Sequence, residues 1–123
     1  MSIRIRRASA GDAAGIVAVM TVVGLQILDR WSTLESMAHV GQLGTFLLPA
    51  WRGRGIGLPL WKATAAFARE AGYHKLAIYV RGSNGQGQAY YRTLGFAECG
   101  RLRRQVVIDG IADDEVMMEL HLG

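Results

Sequence analysis

The segment that most constrains the fold is residues 45–62, where a strand-like apolar run is followed by a glycine-rich basic turn and a helix. The apolar run ends at Pro49, and the helix is predicted to begin near Leu58 with Pro59 in its first turn, where a missing N–H does no harm. The first turn of a helix leaves backbone N–H groups unpaired and carries partial positive charge. Glycines let that backbone approach a ligand closely, and arginines add full charges. This junction therefore predicts a phosphate-binding site.

The spacing of the glycines narrows the kind of phosphate ligand. The P-loop pattern G-x-x-x-x-G-K-[ST] is absent, and the glycines fall at every second position, which does not match the dinucleotide pattern G-x-G-x-x-G. The next predicted strand ends at Arg81 without the acidic residue that binds ribose in dinucleotide enzymes. A surface turn rich in arginine and glycine is the alternative interpretation. The predicted phosphate loop comprises Arg52, Gly53, Arg54, Gly55, Ile56 and Gly57.

The composition indicates one globular domain that spans residues 1–123. Half of the residues are hydrophobic and 20% are charged, which is typical of a packed domain and not of a disordered chain. The net charge of +4 suits a polyanionic ligand, and it would also suit nucleic acid. The arginines are scattered, with no aromatic stacking motif between them, so nucleic acid is not the expected partner.

The single cysteine and the N-terminal apolar run bear on location. Cys99 has no partner for an internal disulfide, which fits a reducing cytoplasm, and we expect a half-buried strand residue instead of a catalytic thiol. Polar residues and glycines interrupt the apolar run of residues 13–28, which is also short for a membrane span. We therefore expect a buried helix there, with no membrane partner, and no metal site is expected.

Hydrophobic periodicity in the first half of the chain predicts a strand, a long helix and a second strand. The first strand covers residues 3–6, and the helix begins near Asp12 and runs to about Leu28. That helix is apolar on nearly every side, so we expect it to be covered both by its own sheet and by a second subunit. Residues 29–38 read as a loop or short helical turn, and the next strand extends from His39 to Leu48.

The second half of the chain predicts two more helices and three more strands. Helices are predicted from Leu58 to Ala71 and from Asn84 to Leu94, each followed by a glycine, with a strand at Lys75 to Arg81 between them. Residues 96–107 and 115–122 form a predicted hairpin, for which Asp109–Gly110 supplies the turn.

Residues 80–96 carry a second motif, and its interpretation depends on the predicted phosphate loop that precedes it. A strand ending at Arg81 is followed by Asn84, by a helix, and by the motif Tyr91-x-x-Leu-Gly-Phe, which ends at Phe96. Combined with Arg52-x-x-Gly-x-Gly, this arrangement resembles the GNAT superfamily of N-acetyltransferases. The resemblance covers about residues 40–122 and fits the first strand and helix more loosely.

The resemblance implies an α/β fold with a mixed, mostly antiparallel sheet, a splayed central pair of parallel strands and flanking helices. In that fold the pantetheine arm of acetyl-CoA lies in the gap between the splayed strands, which residues 79–81 would flank. Tyr91 is implied to lie near the thioester sulfur, where a phenol can act as general acid toward the departing thiolate. Residues implied to contact acetyl-CoA are Phe46, Leu47, Leu48, Arg52, Gly53, Arg54, Gly55, Ile56, Gly57, Asn84 and Tyr91.

Two departures from the family pattern affect the expected mechanism and assembly. Many relatives place a glutamate base on the strand before the phosphate loop, but the matching position here is Gln42, which cannot act as a base. His39 or a chain of waters are substitutes, although a surface histidine is the simpler interpretation of His39. Residues 29–38 are too few for the hairpin that typical members place there, so we expect that N-terminal hairpin to be missing. A homodimer, with exchange of elements, would then cover the exposed edge or helix face.

The sequence therefore predicts a cytoplasmic, acyl-CoA-dependent N-acyltransferase. It would transfer an acetyl group from acetyl-CoA to a primary amine of a small molecule or a protein N-terminus by direct attack. The alternative is a non-catalytic module that binds acyl-CoA, and a nucleic-acid-binding domain is the least favoured reading. Asp113, Asp114 and Glu115 are candidates for attracting a cationic amine, although a charged turn is the simpler interpretation.

Overall fold

A computed structural model describes residues 24–47 and 55–123, which form one five-stranded sheet with two helices. A 3-10 turn at Glu35–Met37 precedes the second strand. The strand order across the sheet is β1-β2-β3-β5-β4. The elements are β1 (Gly24–Arg30), β2 (Val40–Leu47), α1 (Gly57–Glu70), β3 (Lys75–Arg81), α2 (Gly85–Thr93), β4 (Ala97–Ile108) and β5 (Ile111–His121).

The sheet is antiparallel except for its central pair, β2 and β3, which run parallel. That parallel pairing covers three residue pairs, from Val40 opposite Lys75 to Gln42 opposite Ala77. Both strands continue beyond this point, but they no longer pair with each other. The mixed sheet with a splayed parallel pair is confirmed.

The hydrophobic core lies between one face of the sheet and the two helices. Because side chains alternate along a strand, every second residue of β3 points at the helices and the others point away from them. The buried cluster contains Leu43, Trp61, Ala65, Ala68, Leu76, Ile78, Val80, Tyr91, Phe96, Val116 and Met118. The opposite face has no helix packed on it within residues 24–47 and 55–123.

The predicted helix to Leu28 is wrong over residues 24–28, which belong to β1. The run is apolar at consecutive positions, and such a run does not distinguish a helix from a strand by periodicity. Pairing decides: β1 lies antiparallel to β2, with Leu28 opposite Leu43 on the core face. One strand, β1, therefore directly precedes β2, where a helix followed by a loop was predicted. The predicted strand at residues 3–6 and the earlier part of the predicted helix lie outside the described residues.

The remaining elements match the predictions, apart from the start of β5. The last two strands pair from Ile108 opposite Ile111, earlier than the expected start at residue 115. Asp109 and Gly110 both have positive φ, of 52° and 77°, as a tight two-residue hairpin turn requires. Within residues 24–47 and 55–123, no helix is both long and apolar enough to cross a membrane.

The N-terminus of α1 contacts the C-terminal half of α2 at a position where the structure leaves room only for glycine. The Tyr90 hydroxyl donates to the Gly57 carbonyl oxygen at 2.9 Å, and the Tyr90 ring lies directly beside the Gly57 Cα. A Cβ added at Gly57 would lie 2.7 Å from Tyr90 Cε1. The ring has little freedom to move away because its hydroxyl is also bonded to Gln26 at 3.0 Å.

We expect Gly57→Ala to lower the free energy of unfolding by roughly 1–3 kcal/mol, the usual cost of overpacking a well-packed contact. Gly85→Ala is the matched control, because Gly85 is also the first residue of a helix and a Cβ there meets nothing within 4 Å. The control should change stability by less than about 0.5 kcal/mol. Urea denaturation measures both, and equal stability of the two variants would contradict the contact.

Candidate functional site

The gap between β2 and β3 is the central feature of the candidate site. Past Gln42 and Ala77 the two strands no longer satisfy each other's backbone N–H and C=O groups. Backbone polar groups need partners when they are shielded from water. A ligand with amide groups along its length is suited to enter such a gap and to pair with the exposed strand backbone.

The second feature of the candidate site is the N-terminus of α1, which follows β2 in the sequence. Ile56 is the N-cap residue, and its side chain provides no capping hydrogen bond to the first turn. The helix begins with Gly57, and Gly55 before it has a φ of 75°, which favours glycine. Ile56 thus leaves the first-turn N–H groups without a side-chain cap from the N-cap position, which suits an anion-binding helix end.

Only part of the predicted phosphate loop falls within the described residues. Gly55, Ile56 and Gly57 lie at the start of α1, as expected, but Gly57 also serves the contact with Tyr90. Leu48, Arg52, Gly53 and Arg54 lie outside the described residues, as does the side chain of Leu47. Phe46 is in the part of β2 that pairs with β1 but no longer with β3, which we call the unpaired part, and its 41% exposure makes it accessible to a ligand.

Tyr91 projects from α2 toward the unpaired part of β2. Its side chain is only 7% exposed, and its hydroxyl donates to Thr45 Oγ1 at 2.8 Å. Burial raises the pKa of the Tyr91 phenol, and the hydrogen bond with Thr45 acts in the opposite direction. The phenol therefore stays protonated at neutral pH and lies beside the gap.

The motif that ends in Phe96 explains how Tyr91 is held. Helix α2 ends at Thr93, and Gly95 reverses the chain with a φ of 104°. Phe96 is then buried, with its ring edge-on to those of Tyr91 and Trp61 at centroid distances of 5.4 and 5.7 Å. The Tyr-x-x-Leu-Gly-Phe motif therefore holds the Tyr91 ring in place, because it packs Phe96 against that ring.

Gln42, at the position of the expected base, does not lie on the same side of the sheet as Tyr91. Leu43 and Thr45 point toward the helices, so strand alternation places Gln42 on the opposite, open face. His39 is exposed and contributes to a shallow cavity of about 370 Å³ on that same face. Gln42 and Tyr91, the two predicted catalytic residues, thus lie on opposite faces of the sheet beside the gap.

Asn84 is the N-cap of α2, and its Oδ1 accepts a hydrogen bond from the Gly87 N–H at 2.9 Å. It stands one turn after the end of β3, which borders the gap. Its contact with a cofactor arm stays a prediction.

Sequence reasoning missed three polar residues that meet beside the gap, Gln26, Thr45 and Tyr90. Gln26 Nε2 donates to Thr45 Oγ1 at 3.2 Å and to the Tyr90 hydroxyl at 3.0 Å. Burial raises the pKa of Tyr90 to about 12, with a further contribution from Tyr91. In the sequence, Gln26 interrupts an apolar run. This interruption points to a site residue only when residues 24–30 are recognised as a strand.

Comparison with known proteins decides the family. Residues 11–96 match the sequence model of the acetyltransferase (GNAT) family. The chain belongs to the GNAT family.

Two curated relatives carry specific names. The chain is 37% identical over 90 residues to streptothricin acetyltransferase of Streptomyces lavendulae, covering 73% of this chain and 41% of that protein. It is 37% identical over 59 residues to aminoglycoside N(6')-acetyltransferase type 1 of Stenotrophomonas maltophilia, covering 48% and 39%. This GNAT chain therefore spans about two fifths of the length of the curated relatives it matches.

Among solved structures, the fold is similar to that of yncA from Salmonella typhimurium, which was solved with its cofactor acetyl-CoA. The TM-score is 0.78 at 22% identity, with 85% of this chain and 60% of that chain covered. At that identity the likeness establishes the GNAT fold, including the mixed sheet and its parallel pair.

Two acidic residues of β5 in this GNAT chain, Asp113 and Asp114, are engaged in hydrogen bonds within the protein. Asp113 accepts hydrogen bonds from the backbone N–H and hydroxyl of Ser83, in the turn before α2. Asp114 accepts from the Arg104 backbone N–H and from Arg101 Nη1, both at 2.8 Å. These bonds tie the irregular part of β4 and the end of β3 to β5, which favours a structural role over attraction of a substrate amine.

Cys99 is exposed on β4, and not half-buried as predicted, because the pairing of β4 with β5 is irregular between Glu98 and Gly100. Local desolvation and the neighbouring Glu119 carboxylate raise the pKa of its thiol. A raised pKa lowers the thiolate fraction, so Cys99 is not activated as a nucleophile. Within residues 24–47 and 55–123, no three His, Cys, Asp or Glu side chains are placed to hold a metal ion.

We expect Asp114→Asn to destabilise the protein at neutral pH but not in acid. The bonds from Arg104 and Arg101 lower the pKa of Asp114 below its ordinary 3.8. A lowered pKa in the folded state means that the carboxylate stabilises the fold above about pH 4, and that this contribution is lost as pH falls through the lowered value.

The difference in melting temperature between wild type and Asp114→Asn should therefore shrink as pH is lowered through this range. Asp109→Asn is the control, since Asn suits the positive φ of that turn residue, and it should leave stability nearly unchanged. Calorimetry at a series of pH values measures both, and a pH-independent difference for Asp114→Asn would refute the assignment.

Proposed function

We propose that this GNAT chain is an N-acetyltransferase that transfers acetyl from acetyl-CoA to the primary amine of a small molecule or protein N-terminus by direct attack. The observation that carries the proposal is the early end of the β2–β3 ladder, with the protonated phenol of Tyr91 held beside the resulting gap. Family membership supports the reaction type, and a neighbour of the same fold was solved with acetyl-CoA.

The gap and the start of α1 fit the two ends of the acetyl-CoA arm. The pantetheine portion carries amide groups that can pair with the unpaired backbone of β2, where Phe46 is accessible. The diphosphate suits the uncapped N–H groups at the start of α1, together with the predicted charges of Arg52 and Arg54. A thioester bound in this way reaches the part of the gap that lies beside Tyr91.

The two faces of the sheet divide the chemistry between them. The neutral amine enters from the open face, where Gln42 lies, and attacks the thioester carbonyl, while strand N–H groups stabilise the oxyanion. Collapse of the tetrahedral intermediate breaks the C–S bond, and Tyr91 protonates the sulfur from the helix face. Gln42 cannot take the amine proton, so we assign it to holding the water that does so.

The relatives support an acceptor that is a cationic, amine-bearing small molecule. The names of two of them specify streptothricin and the 6' nitrogen of aminoglycosides as acceptors. The predicted homodimer and the predicted cytoplasmic location stay predictions. A non-catalytic acyl-CoA-binding module remains the second candidate, favoured by the Gln42 side chain at the position of the base.

The binding half of the proposal is tested by thermal unfolding in the presence of acetyl-CoA. A ligand at 100 times its dissociation constant adds roughly 2.7 kcal/mol to the stability of the folded state. S-acetylpantetheine, which lacks the diphosphate, is the matched control ligand and should protect far less at equal concentration. Equal protection by both ligands would remove the role assigned to the start of α1, and no protection by either would end the proposal.

The catalytic half is tested with Tyr91→Phe. We expect the rate of coenzyme A release with an accepted amine to fall by roughly 10²-fold or more, the usual contribution of a general acid, with acetyl-CoA affinity retained. Tyr73→Phe is the control, because Tyr73 is also partly buried against the core but lies away from the gap. Acetyl-CoA binding without coenzyme A release for any amine of a broad panel would favour the binding module.

A further inference from the structure

A chain of hydrogen bonds links Gln26, Thr45 and Tyr91 across three secondary-structure elements. Gln26 and Thr45 lie directly opposite each other in the antiparallel pair β1–β2, with Nε2 to Oγ1 at 3.2 Å. Thr45 Oγ1 is in turn 2.8 Å from the Tyr91 hydroxyl on α2. The chain ends beside the gap, at the phenol to which the proposed function assigns proton donation.

The orientation of the Gln26 side-chain amide follows from its neighbours. The Tyr90 hydroxyl has one proton, and it donates that proton to the Gly57 carbonyl, which can only accept. The Gln26 atom that lies 3.0 Å from the Tyr90 oxygen must therefore be the donor Nε2. The second N–H of the same nitrogen is then directed to Thr45 Oγ1.

This orientation is retained although it leaves the other end of the amide without a partner. Gln26 Oε1 is buried and accepts no hydrogen bond from the described residues. Flipping the amide would place this oxygen against Tyr90, whose proton is already used. The two donated bonds thus determine how Gln26 is held.

The bond between Thr45 and Tyr91 can reverse without any movement of the heavy atoms. Each hydroxyl can donate one bond and accept two. In the absence of ligand, the phenol donates its one proton to Thr45. As the thiolate leaves, Thr45 turns its own proton toward the phenol oxygen, which frees the phenol proton for the sulfur, while Gln26 continues to donate to Thr45.

We propose that Gln26 and Thr45 are positioning residues that form a donor chain, which orients the Tyr91 hydroxyl and stabilises its phenolate after proton transfer to the leaving sulfur. This inference rests on the proposed function. In the step concerned, the C–S bond breaks with its electron pair on sulfur, and the Tyr91 proton forms the new S–H bond. The phenolate then regains a proton from water, and the proton released by the amine nitrogen balances it.

The electrostatics of the site agree with this role. A phenolate in a buried position is costly because burial disfavours the charged form. The hydrogen bond between Tyr91 and Thr45 lowers the pKa of Tyr91 against that effect. Tyr90 on the same helix is the titratable neighbour, with its ring centroid 5.2 Å from that of Tyr91, and Phe96 and Trp61 complete the packing without charge. Cations that could replace the donor chain do not face Tyr91 within residues 24–47 and 55–123.

The first test needs neither acetyl-CoA nor an acceptor. Tyrosinate absorbance is followed against pH in the full chain, with circular dichroism confirming that the protein stays folded. Because Tyr90 and Tyr91 titrate as neighbours, comparison with both Tyr91→Phe and Tyr90→Phe assigns the Tyr91 step. In Thr45→Val and Gln26→Glu the Tyr91 midpoint should move to higher pH, and Thr45→Ser should retain the wild-type midpoint. Thr64→Val is the control, since the Thr64 hydroxyl bonds to the Leu60 carbonyl within α1.

The second test is a double-mutant cycle in the acetyl transfer assay, with an amine that the wild type accepts. Thr45→Val should lower kcat about 10-fold, in line with the loss of one hydrogen bond to a charged group, with little change in the KM for acetyl-CoA. In the Tyr91→Phe background the same substitution should have no further effect, because the group on which it acts is gone.

The outcomes separate this inference from the proposed function. An unchanged Tyr91 midpoint in Thr45→Val, or additive losses of kcat in the cycle, would overturn the donor chain even if acetyl transfer is robust. Absence of acetyl-CoA binding would instead end the proposed function, while the ligand-free titration would still decide whether Gln26 and Thr45 stabilise the Tyr91 phenolate.

Discussion

The separation of β2 from β3 after Gln42 and Ala77 is the constraint on which the rest of this structure depends. A continuous ladder would satisfy both backbones and leave no place for a ligand between them. Beside the paired portion, Gly41 leaves space for core side chains, since a Cβ there would lie 2.9 Å from both Leu28 Cδ1 and Leu76 Cδ2. The unpaired portion is flanked by Thr45 and Tyr91, so a hydroxyl pair borders the helix side of the gap instead of an apolar side chain.

The polar groups on that side connect the two ends of the candidate site. Through one nitrogen, Gln26 contacts Thr45 near the phenol of Tyr91 and also Tyr90, which bonds to the start of α1. The predicted diphosphate end and the predicted sulfur end therefore share one buried hydrogen-bond network. Such networks rigidify the groups they contain when their donors are used, and preorganised geometry is what proton transfer requires.

The β4–β5 hairpin supports one side of the candidate site through side-chain hydrogen bonds. Its acidic residues hold the turn before α2 and the irregular part of β4 through Asp113 and Asp114. The β3–α2 turn that carries Asn84 is thus anchored to β5 by side-chain hydrogen bonds as well as by strand pairing. The side chains of Gln42 and His39 are exposed on the open face of the sheet, which is the face where the proposed function places the acceptor.

By itself, the sequence determined the strand before the predicted phosphate loop, both helices and the tight turn at Asp109–Gly110, because caps, glycines and periodicity are local signals. It misassigned residues 24–28, since an apolar run takes its conformation from whichever neighbour it pairs with, and here that neighbour is β2. Only the tertiary structure decided that Gln26 lies opposite Thr45, that Gln42 and Tyr91 occupy opposite faces, and that Gly57 packs against Tyr90. These relations join residues far apart along the chain, and their geometry is fixed by strand register and helix packing, which no local pattern encodes.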